Sequence, residues 1–330
     1  MKRIVSAVLI LVLLLCTAGC GGQSADESAT KPTTAPAPPS VDEPPLKIVS
    51  FNIQTHSNGN IFSIREEMMK EFITETQPDS IGMQEVTQTW RKSLEETCFG
   101  EDYSSVGNSD KKTGEMNAIF YRNDKFAPVD SGTFWLSDTP DVAGSKFEES
   151  VEPRVCTWVR LKSKTSEWEF VHLNVHLENN GTKTSEEGRA LRLKQGRVLL
   201  DFVKTLGDVP VVVTGDFNQM QSGSDGVDHL LYQQFTGRAF YEAEDGSMVS
   251  GPFADARITA PETVSPTEWA SMTQYHLAGE RYNPARGPID YIFYTPSSLE
   301  PTVYRNILYV WDEIFTISDH LPQYAEFTVK

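Results

Sequence analysis

The sequence has little positive charge, and this argues against one class of function. Lys and Arg number 29 against 46 Asp and Glu, which gives a formal net charge of −17. Sequence-independent binding to nucleic acid depends on cationic side chains that neutralise phosphates. The sequence also contains no basic arm with interleaved aromatic residues. A tight nucleic-acid binder is therefore disfavoured, whereas an enzyme whose site is made positive by a bound metal is not.

Cysteine is scarce as well, and no spacing of cysteine and histidine is typical of a zinc site. Only Cys98 and Cys156 lie beyond the first 20 residues. Two cysteines so far apart in sequence define no disulfide framework. We predict two buried thiols and leave a disulfide between them as the alternative.

No apolar run in the sequence is long enough to span a bilayer. The run from Ile4 to Cys16 follows Lys2 and Arg3, is too short to span a bilayer, and has the length of the apolar part of a signal peptide. Thr17-Ala18-Gly19-Cys20 resembles the cleavage site of bacterial lipoproteins. We therefore predict a lipoprotein signal peptide over residues 1–19 and lipidation of Cys20, with an ordinary secretory signal as the alternative.

Residues 20–45 contain almost no bulky apolar side chain and are rich in Pro, Thr and Ser. Such a segment cannot bury enough surface to offset the entropy of ordering, so we predict a disordered tether. Residues 46–330 are predicted to form the folded domain. The expected location is the outer face of the bacterial cell membrane, with the domain facing outward. No protein partner is implied, and a monomer is expected.

One buried strand organises the folded domain. Val211 to Val213 indicates this strand, which ends in Gly215-Asp216-Phe217-Asn218. Helices are predicted at Ser63–Thr76 with Ser63 as its N-cap, Thr87–Thr97 with Trp90, Leu94 and Thr97 on one face, Arg189–Leu206 and Val227–Phe235. The other predicted strands are Lys47–Ile53, Ser80–Val86, Tyr103–Val106, Asn117–Arg122, Phe126–Ser131, Val155–Lys162, Glu167–Leu177, Pro288–Tyr294, Thr302–Val310 and Tyr324–Val329.

Hard polar side chains recur at or near the ends of these strands. They are Asn52, Glu85, Asn174, His176, Asp216, Asn218, Asp290, Asp319 and His320. Taken one at a time, each is explained by turn chemistry or by a satisfied core residue. As a set they supply the oxygen ligands that Mg²⁺ requires, together with two histidines that suit phosphate chemistry.

Six short motifs occur in an order that resembles the endonuclease/exonuclease/phosphatase superfamily. They are Ser50-Phe51-Asn52-Ile53, Met83-Gln84-Glu85-Val86, Asn174-Val175-His176-Leu177, Gly215-Asp216-Phe217-Asn218, Ile289-Asp290-Tyr291-Ile292 and Ser318-Asp319-His320. The segment from Glu115 to Arg122 is similar to the family segment that carries a glutamate partner for the first histidine. Gly132 to Pro140, with Arg154 and Trp158 beyond it, is similar to a bacterial branch of the family.

The resemblance implies an α/β fold, a four-layered sandwich of two packed mixed β-sheets flanked by helices. It also implies metal-dependent hydrolysis of a phosphoester, with Mg²⁺, or Mn²⁺ in its place, held by Glu85, Asn52 and Asp319. Asp216 would activate the attacking water, and Asn218 would orient either that water or the phosphate. His176 and His320 would bind the phosphoryl oxygens as charged imidazolium groups, oriented by Glu115 and Asp290 respectively.

The substrate is the least defined part of this expectation. It is a small-molecule, lipid-derived or nucleic-acid phosphoester, either a mono- or a diester. The residues expected to bind it are Asn174, Tyr121, Arg154, Arg189, Trp135, Trp269 and Arg286. Two alternatives stay open, an extracellular metal-dependent nuclease and a non-catalytic binding lipoprotein on the same scaffold.

Overall fold

The alternating apolar residues of the folded domain form strands. The computed structural model describes residues 43–56, 62–109, 114–179, 181, 185–265, 271–272, 287–311 and 315–330. The predicted signal peptide and nearly all of the predicted tether, with Cys20, lie outside the described residues, as do Trp269 and Arg286. Within the described residues, no helix is long and apolar enough to cross a membrane.

Strands outnumber helices in the folded domain. In chain order, the strands are β1 (Leu46–Asn52), β2 (Ser80–Val86), β3 (Tyr103–Val106), β4 (Met116–Arg122), β5 (Phe126–Trp135), β6 (Val155–Ser163), β7 (Glu169–His176), β8 (Val211–Asp216), β9 (Tyr241–Glu242), β10 (Met248–Val249), β11 (Ala254–Asp255), β12 (Glu262–Val264), β13 (Asp290–Tyr294), β14 (Leu299–Asn306), β15 (Val310–Trp311), β16 (Phe315–Thr316) and β17 (Gln323–Val329). The helices are α1 (Phe62–Thr76), α2 (Gln88–Ser93), α3 (Ser185–Thr205), α4 (Leu230–Phe235) and α5 (Ala256–Thr259).

Two mixed sheets pack face to face. The first has seven strands in the order β12-β14-β17-β1-β2-β4-β3, and the second has six in the order β11-β13-β8-β7-β6-β5. β1 and β2 run parallel in the first sheet, as do β7 and β8 in the second. With the flanking helices, this arrangement confirms the predicted sandwich of two mixed sheets.

Alternation along the strands divides the core into layers. Val212 packs between the two sheets, whereas Val211 and Val213 point to the outer face of the second sheet and pack with Leu199 of α3. Phe72 of α1 belongs to the corresponding cluster on the first sheet. Because β8 is buried on both faces, its carboxyl end and Asp216 are held in place.

The two sheets approach closely where polar groups join them. A Cβ at Gly82 of β2 would lie 2.0 Å from Oγ1 of Thr214 on β8, so the strand requires glycine there. His172 of β7 contacts Ser80 Oγ at 2.7 Å and Thr214 Oγ1 at 2.8 Å through its two ring nitrogens. The sequence pattern does not predict this role for His172.

Several predicted element boundaries were wrong. α1 begins at Phe62, so Ser63 lies in its first turn and not at the N-cap. The helix predicted to reach Thr97 ends at Ser93 and continues as a π-helical turn, Leu94–Cys98. This wider turn shifts the helical phase, which exposes Thr97 and buries Cys98. Cys98 and Cys156 are buried free thiols, as predicted.

Candidate active site

Strand register brings three of the predicted residues into one row on the second sheet. Asp216 ends β8 and pairs with His176 of β7 on one side and with Asp290 of β13 on the other. Directly opposed residues project from the same face of a sheet. The three side chains therefore point toward the first sheet at the carboxyl end of β8.

The first sheet supplies the facing residues. Asn52 ends β1, and its Nδ2 donates to Asp216 Oδ2 at 3.0 Å and to Glu85 Oε1 at 3.1 Å. The other oxygen of Glu85 accepts from the backbone N–H of Thr55 at 3.1 Å. One buried amide thus joins the predicted metal ligand to the predicted base across the two sheets.

Strained backbone is concentrated at this point. Among the described residues, four non-glycine residues have a positive φ, and three of them are Gln54 (50°), Glu85 (62°) and Asn218 (49°). A register shift between Met83 and Val86 in the pairing of β2 with β4 places Glu85 in a bulge. Such backbone is costly for these residue types and is retained mainly where the surrounding structure requires it.

His320 is held by two carboxylates. Its Nδ1 lies 2.9 Å from Asp290 Oδ2, and its Nε2 lies 3.7 Å from Asp216 Oδ2. Burial favours the neutral ring, but Asp290 and Asp216 together raise the pKa of His320 well above its usual value. The geometry fits the predicted role of Asp290 as the partner that orients His320.

His176 has the opposite character, and the predicted charged form is not favoured. Burial, then Arg154, then His320 lower the pKa of His176 well below its usual value. Asn218 Nδ2 donates to the carbonyl of Leu177 and to His176 Nε2, both at 3.0 Å. With the amide nitrogen of Asn218 as donor, Nε2 is the acceptor, and the lowered pKa fits a neutral ring with its proton on Nδ1.

Asp216 is a buried carboxylate with a shifted pKa. Oδ1 accepts from the backbone N–H of Asn218 at 2.8 Å, and Oδ2 accepts from Asn52 at 3.0 Å. Burial, followed by the negative charge of Asp290, raises the pKa of Asp216 to about 7. A base whose pKa lies near the operating pH is well suited to take a proton from water.

Two groups of side chains could hold a metal ion. Ligand atoms of Asp216, Asp290 and His320 lie within 4.8 Å of one another. In that group, however, Asp290 already contacts the imidazole, and a cationic ring would repel a metal. Glu85 and Asp319 form the second group. Burial raises the pKa of Asp319, and the negative charge of Glu85 raises it further, whereas the positive charge of His320 lowers it. Two neighbouring carboxylates beside an amide oxygen fit a hard divalent cation.

Two residues predicted to bind substrate lie elsewhere. Asn174 is fully buried, donates to the carbonyls of Met83 and Ala118, and accepts from Gln84 and Thr214, so all of its hydrogen-bonding capacity is used between the sheets. Tyr121 pairs with Ser80 at the amino end of β2 and packs in the core. It lies five residues from Glu85 along the ladder, roughly 17 Å at the usual rise of a strand.

The remaining predicted residues have different surroundings. Trp135 ends β5, is 7% exposed, and leaves its Nε1 without a hydrogen-bond partner. Arg154 and Arg189 are half-buried, and Arg154 is close enough to His176 to lower its pKa. Glu115 is half-buried just before β4, and its role as a partner of His176 stays a prediction.

Arg192 is a buried cation that the sequence did not reveal. It lies on α3, donates through Nε to Gln219 Oε1 and through Nη1 to the carbonyl of Glu178, both at 3.0 Å. Glu178 follows the His176 strand, and Gln219 follows Asn218. An arginine in an amphipathic helix pattern is expected to face solvent, so no local signal separates Arg192 from its neighbours.

The fold and this site define a class of protein. A family model described as the endonuclease/exonuclease/phosphatase family matches residues 49–320, which includes every residue of the site from Asn52 to His320. The chain belongs to this family.

Solved structures share the fold over nearly their whole length. An endonuclease/exonuclease/phosphatase family protein from Bacteroides thetaiotaomicron is 26% identical, with 86% of this chain and 98% of that chain covered and a TM-score of 0.71. One from Bacteroides vulgatus is 26% identical, with 87% and 100% covered and a TM-score of 0.71. A Bacteroides thetaiotaomicron mannosyl-6-phosphatase is 25% identical, with 86% and 99% covered and a TM-score of 0.67. No curated protein matches the chain at a significant level.

Proposed function

We propose that the chain is a divalent-metal-dependent phosphoesterase that hydrolyses a phosphate mono- or diester. The observation that carries this proposal is the position of Asp216. It is buried between two histidines, paired in the sheet with His176 and Asp290, and joined through Asn52 to Glu85. A base, a cationic ring and a set of metal ligands thus converge on one point.

Each side chain has a task that its geometry supports. Asp216, with its raised pKa, accepts the proton of the attacking water. Asn218, fixed through its Nδ2 by Leu177 and His176, orients that water with its amide. His320, kept protonated by Asp290, donates to a phosphoryl oxygen as negative charge develops there.

Mg²⁺ or Mn²⁺ would be held by Glu85 and Asp319 with the side-chain carbonyl oxygen of Asn52. That oxygen accepts one hydrogen bond, from Gln54 N at 3.0 Å, and a carbonyl has a second lone pair to offer. When bound, the ion supplies Lewis acidity to the phosphoryl oxygen and stabilises the leaving group.

We favour a small phosphoester over nucleic acid as the substrate. A net charge of −17 opposes binding to a polyanion. One structural neighbour of similar length is a mannosyl-6-phosphatase, a protein that acts on a sugar phosphate by its name. Nuclease activity would be recognised by turnover of DNA that falls steeply as salt is raised.

We further propose that the protein is exported and lipid-anchored through Cys20. The support is the basic start, the apolar run and the small residues before Cys20. In a bacterial host, wild type should fractionate with membranes and carry the mass of a diacylglyceryl group. Cys20→Ser should lose both, and a wild-type protein without lipid would contradict this assignment.

The test of the activity is hydrolysis by the purified full-length chain. p-Nitrophenyl phosphate, bis-p-nitrophenyl phosphate, sugar phosphates, nucleotides, inositol phosphates, phospholipids and DNA are each incubated with Mg²⁺, with Mn²⁺ and with EDTA. We expect turnover of at least one ester that requires metal and is abolished by EDTA. No turnover of any ester with either metal would refute the proposal.

A further inference from the structure

Arg154 immediately precedes β6, at the end of the second sheet that holds His176 and Asp216. Its carbonyl accepts from the backbone N–H of Leu136 at 2.8 Å, and the next residue, Val155, pairs with Trp135. Cys156 pairs with Val175, so the same antiparallel register places Val155 beside His176. The row that contains the base therefore continues from His176 through Val155 to Trp135, with Arg154 next to it.

The guanidinium of Arg154 lacks any partner in the part of the chain that the structure describes. Its Nε is buried without a hydrogen bond, and the side chain forms no ion pair there. Arg160, which lies within β6, contacts Glu169 at 2.6 Å. A partly buried cation without a counter-charge is unfavourable, and binding of an anion would relieve this cost.

Arg154 also lies near the proposed catalytic residues. Both Arg154 and His320 are close enough to the buried His176 to lower its pKa. His320 already has two carboxylate neighbours, Asp290 and Asp216, whereas Arg154 forms no ion pair among the described residues. Arg154 is therefore the cation of this region that is available to an anionic ligand.

We propose that Arg154 binds the phosphoryl group of a phosphate monoester and makes the site select monoesters over diesters. This inference rests on the proposed phosphoesterase function. A monoester carries close to two negative charges at neutral pH and has three terminal oxygens, whereas a diester carries one charge and has two. A guanidinium binds two terminal oxygens at once, so the third oxygen of the monoester completes a contact that a diester lacks.

The test compares Arg154→Met with Arg160→Met on p-nitrophenyl phosphate and bis-p-nitrophenyl phosphate. Arg154→Met should lower kcat/KM for the monoester by about 100-fold and for the diester by less than about tenfold, the range expected for loss of a charged bidentate contact. Inhibition by inorganic phosphate should weaken about tenfold or more. Arg160→Met, which removes a partly exposed arginine from β6, the strand that follows Arg154, should leave kcat/KM for both substrates within about twofold of wild type.

The results distinguish the role of Arg154, the selection of monoesters and the phosphoesterase function itself. Equal losses of kcat/KM on both substrates, or an unchanged inhibition constant for phosphate, would overturn the role of Arg154. A wild-type protein that hydrolyses only the diester would overturn the selection while leaving the phosphoesterase proposal intact, and one that hydrolyses neither contradicts both. If Arg154→Met does not fold, Arg154→Lys decides, because a single ammonium should still lower the monoester-to-diester ratio about tenfold. An unchanged ratio in that variant would also overturn the proposal.

Discussion

Asp216 owes its chemical character to its neighbours. Asp208, near the other end of the same strand region, is exposed, whereas Asp216 is buried beside Asp290 and has its pKa raised to about 7. The same residue type is therefore an exposed surface residue just before β8 and the proposed catalytic base at its carboxyl end. Burial between the two sheets is the main reason that the pKa of Asp216 is raised.

The pairing of Asp290 with His320 leads to a prediction at the residue scale. Asp290→Asn keeps the shape of the side chain but removes the charge that favours the imidazolium. We expect kcat for the metal-dependent hydrolysis to fall about 100-fold, a typical contribution of a positioned acid. Steady-state kinetics measure this, with circular dichroism to check the fold.

Asp130→Asn is the matched control, because Asp130 is exposed on β5 and its side chain accepts a hydrogen bond from the N–H of the neighbouring Ser131. It should leave kcat unchanged. A kcat in Asp290→Asn equal to wild type would show that His320 does not need the carboxylate.

Residue types at strand ends could be predicted, but their backbone could not. Asp216, Asp290 and His176 converge because the register of β7, β8 and β13 aligns strand ends that the apolar pattern locates. The left-handed conformations of Glu85 and Asn218 oppose the preference of those residue types, so composition carries no sign of them. Asn174 was predicted to bind substrate because it lies near the end of its strand. It is instead buried and forms hydrogen bonds between the two sheets.

At the scale of elements, α3 links the scaffold to the site. One face of the helix packs on the second sheet through Leu199 and Val203. Arg192 extends from the same helix to the segments after β7 and β8. These two segments adjoin His176 and contain Asn218. A shift of α3 would therefore move both side chains.

Arg192→Met tests this link. The substitution keeps an unbranched apolar stem but leaves the Gln219 oxygen and the Glu178 carbonyl without their donor. We expect a loss of about 3 kcal/mol in the free energy of unfolding from the unsatisfied buried groups. We also expect kcat to fall about tenfold, because a small displacement of catalytic groups is costly.

Urea unfolding and steady-state kinetics measure the two effects of Arg192→Met. Lys194→Met removes an exposed cation from the same helix and should change neither by more than the spread of surface substitutions, about 0.5 kcal/mol. Wild-type stability in Arg192→Met would mean that the buried arginine holds nothing in place.

Element types could be predicted from periodicity, whereas local departures from periodicity could not. The long amphipathic pattern located α3, and the valine run located β8. The π turn after α2 adds one residue to a turn without any change in composition, so Thr97 leaves the face that it was predicted to share with Trp90 and Leu94 and is exposed. Arg192 has the sequence position of a surface residue, but it is buried and bonded to Glu178 and Gln219 in the segments that follow β7 and β8.

At the scale of the whole molecule, the two sheets are joined by neutral polar contacts. His172 lies between Ser80 of the first sheet and Thr214 of the second, at a level where Gly82 lets the sheets approach. Burial lowers the pKa of His172 to about 3. The closed sandwich therefore requires the neutral ring.

This predicts acid sensitivity with a defined sign. Between about pH 3 and the usual value near 6.5, the unfolded chain binds a proton at His172 and the folded chain does not. Stability from this group is present above pH 6.5 and is lost as the pH falls, by about 1.4 kcal/mol per unit. Urea unfolding of the metal-free protein from pH 7.5 to 4.5 measures the slope.

His172→Gln provides the comparison, because its amide spans a similar distance without titrating. Its stability should fall with decreasing pH about 1.4 kcal/mol per unit less steeply than that of wild type. Parallel slopes in the two proteins would show that His172 is not the group responsible.

The most direct test of the central claim is the kcat of Asp216→Asn in the full-length chain with saturating Mg²⁺ or Mn²⁺. Asparagine keeps the size of the side chain but cannot accept the proton of the attacking water. We therefore expect kcat to fall by about 1,000-fold or more, beyond the usual contribution of a general base alone because water is also mispositioned. Asp208→Asn, at the exposed end of the strand region, should match wild type. Turnover of Asp216→Asn at the wild-type rate, in a preparation with the wild-type fold, would contradict the account.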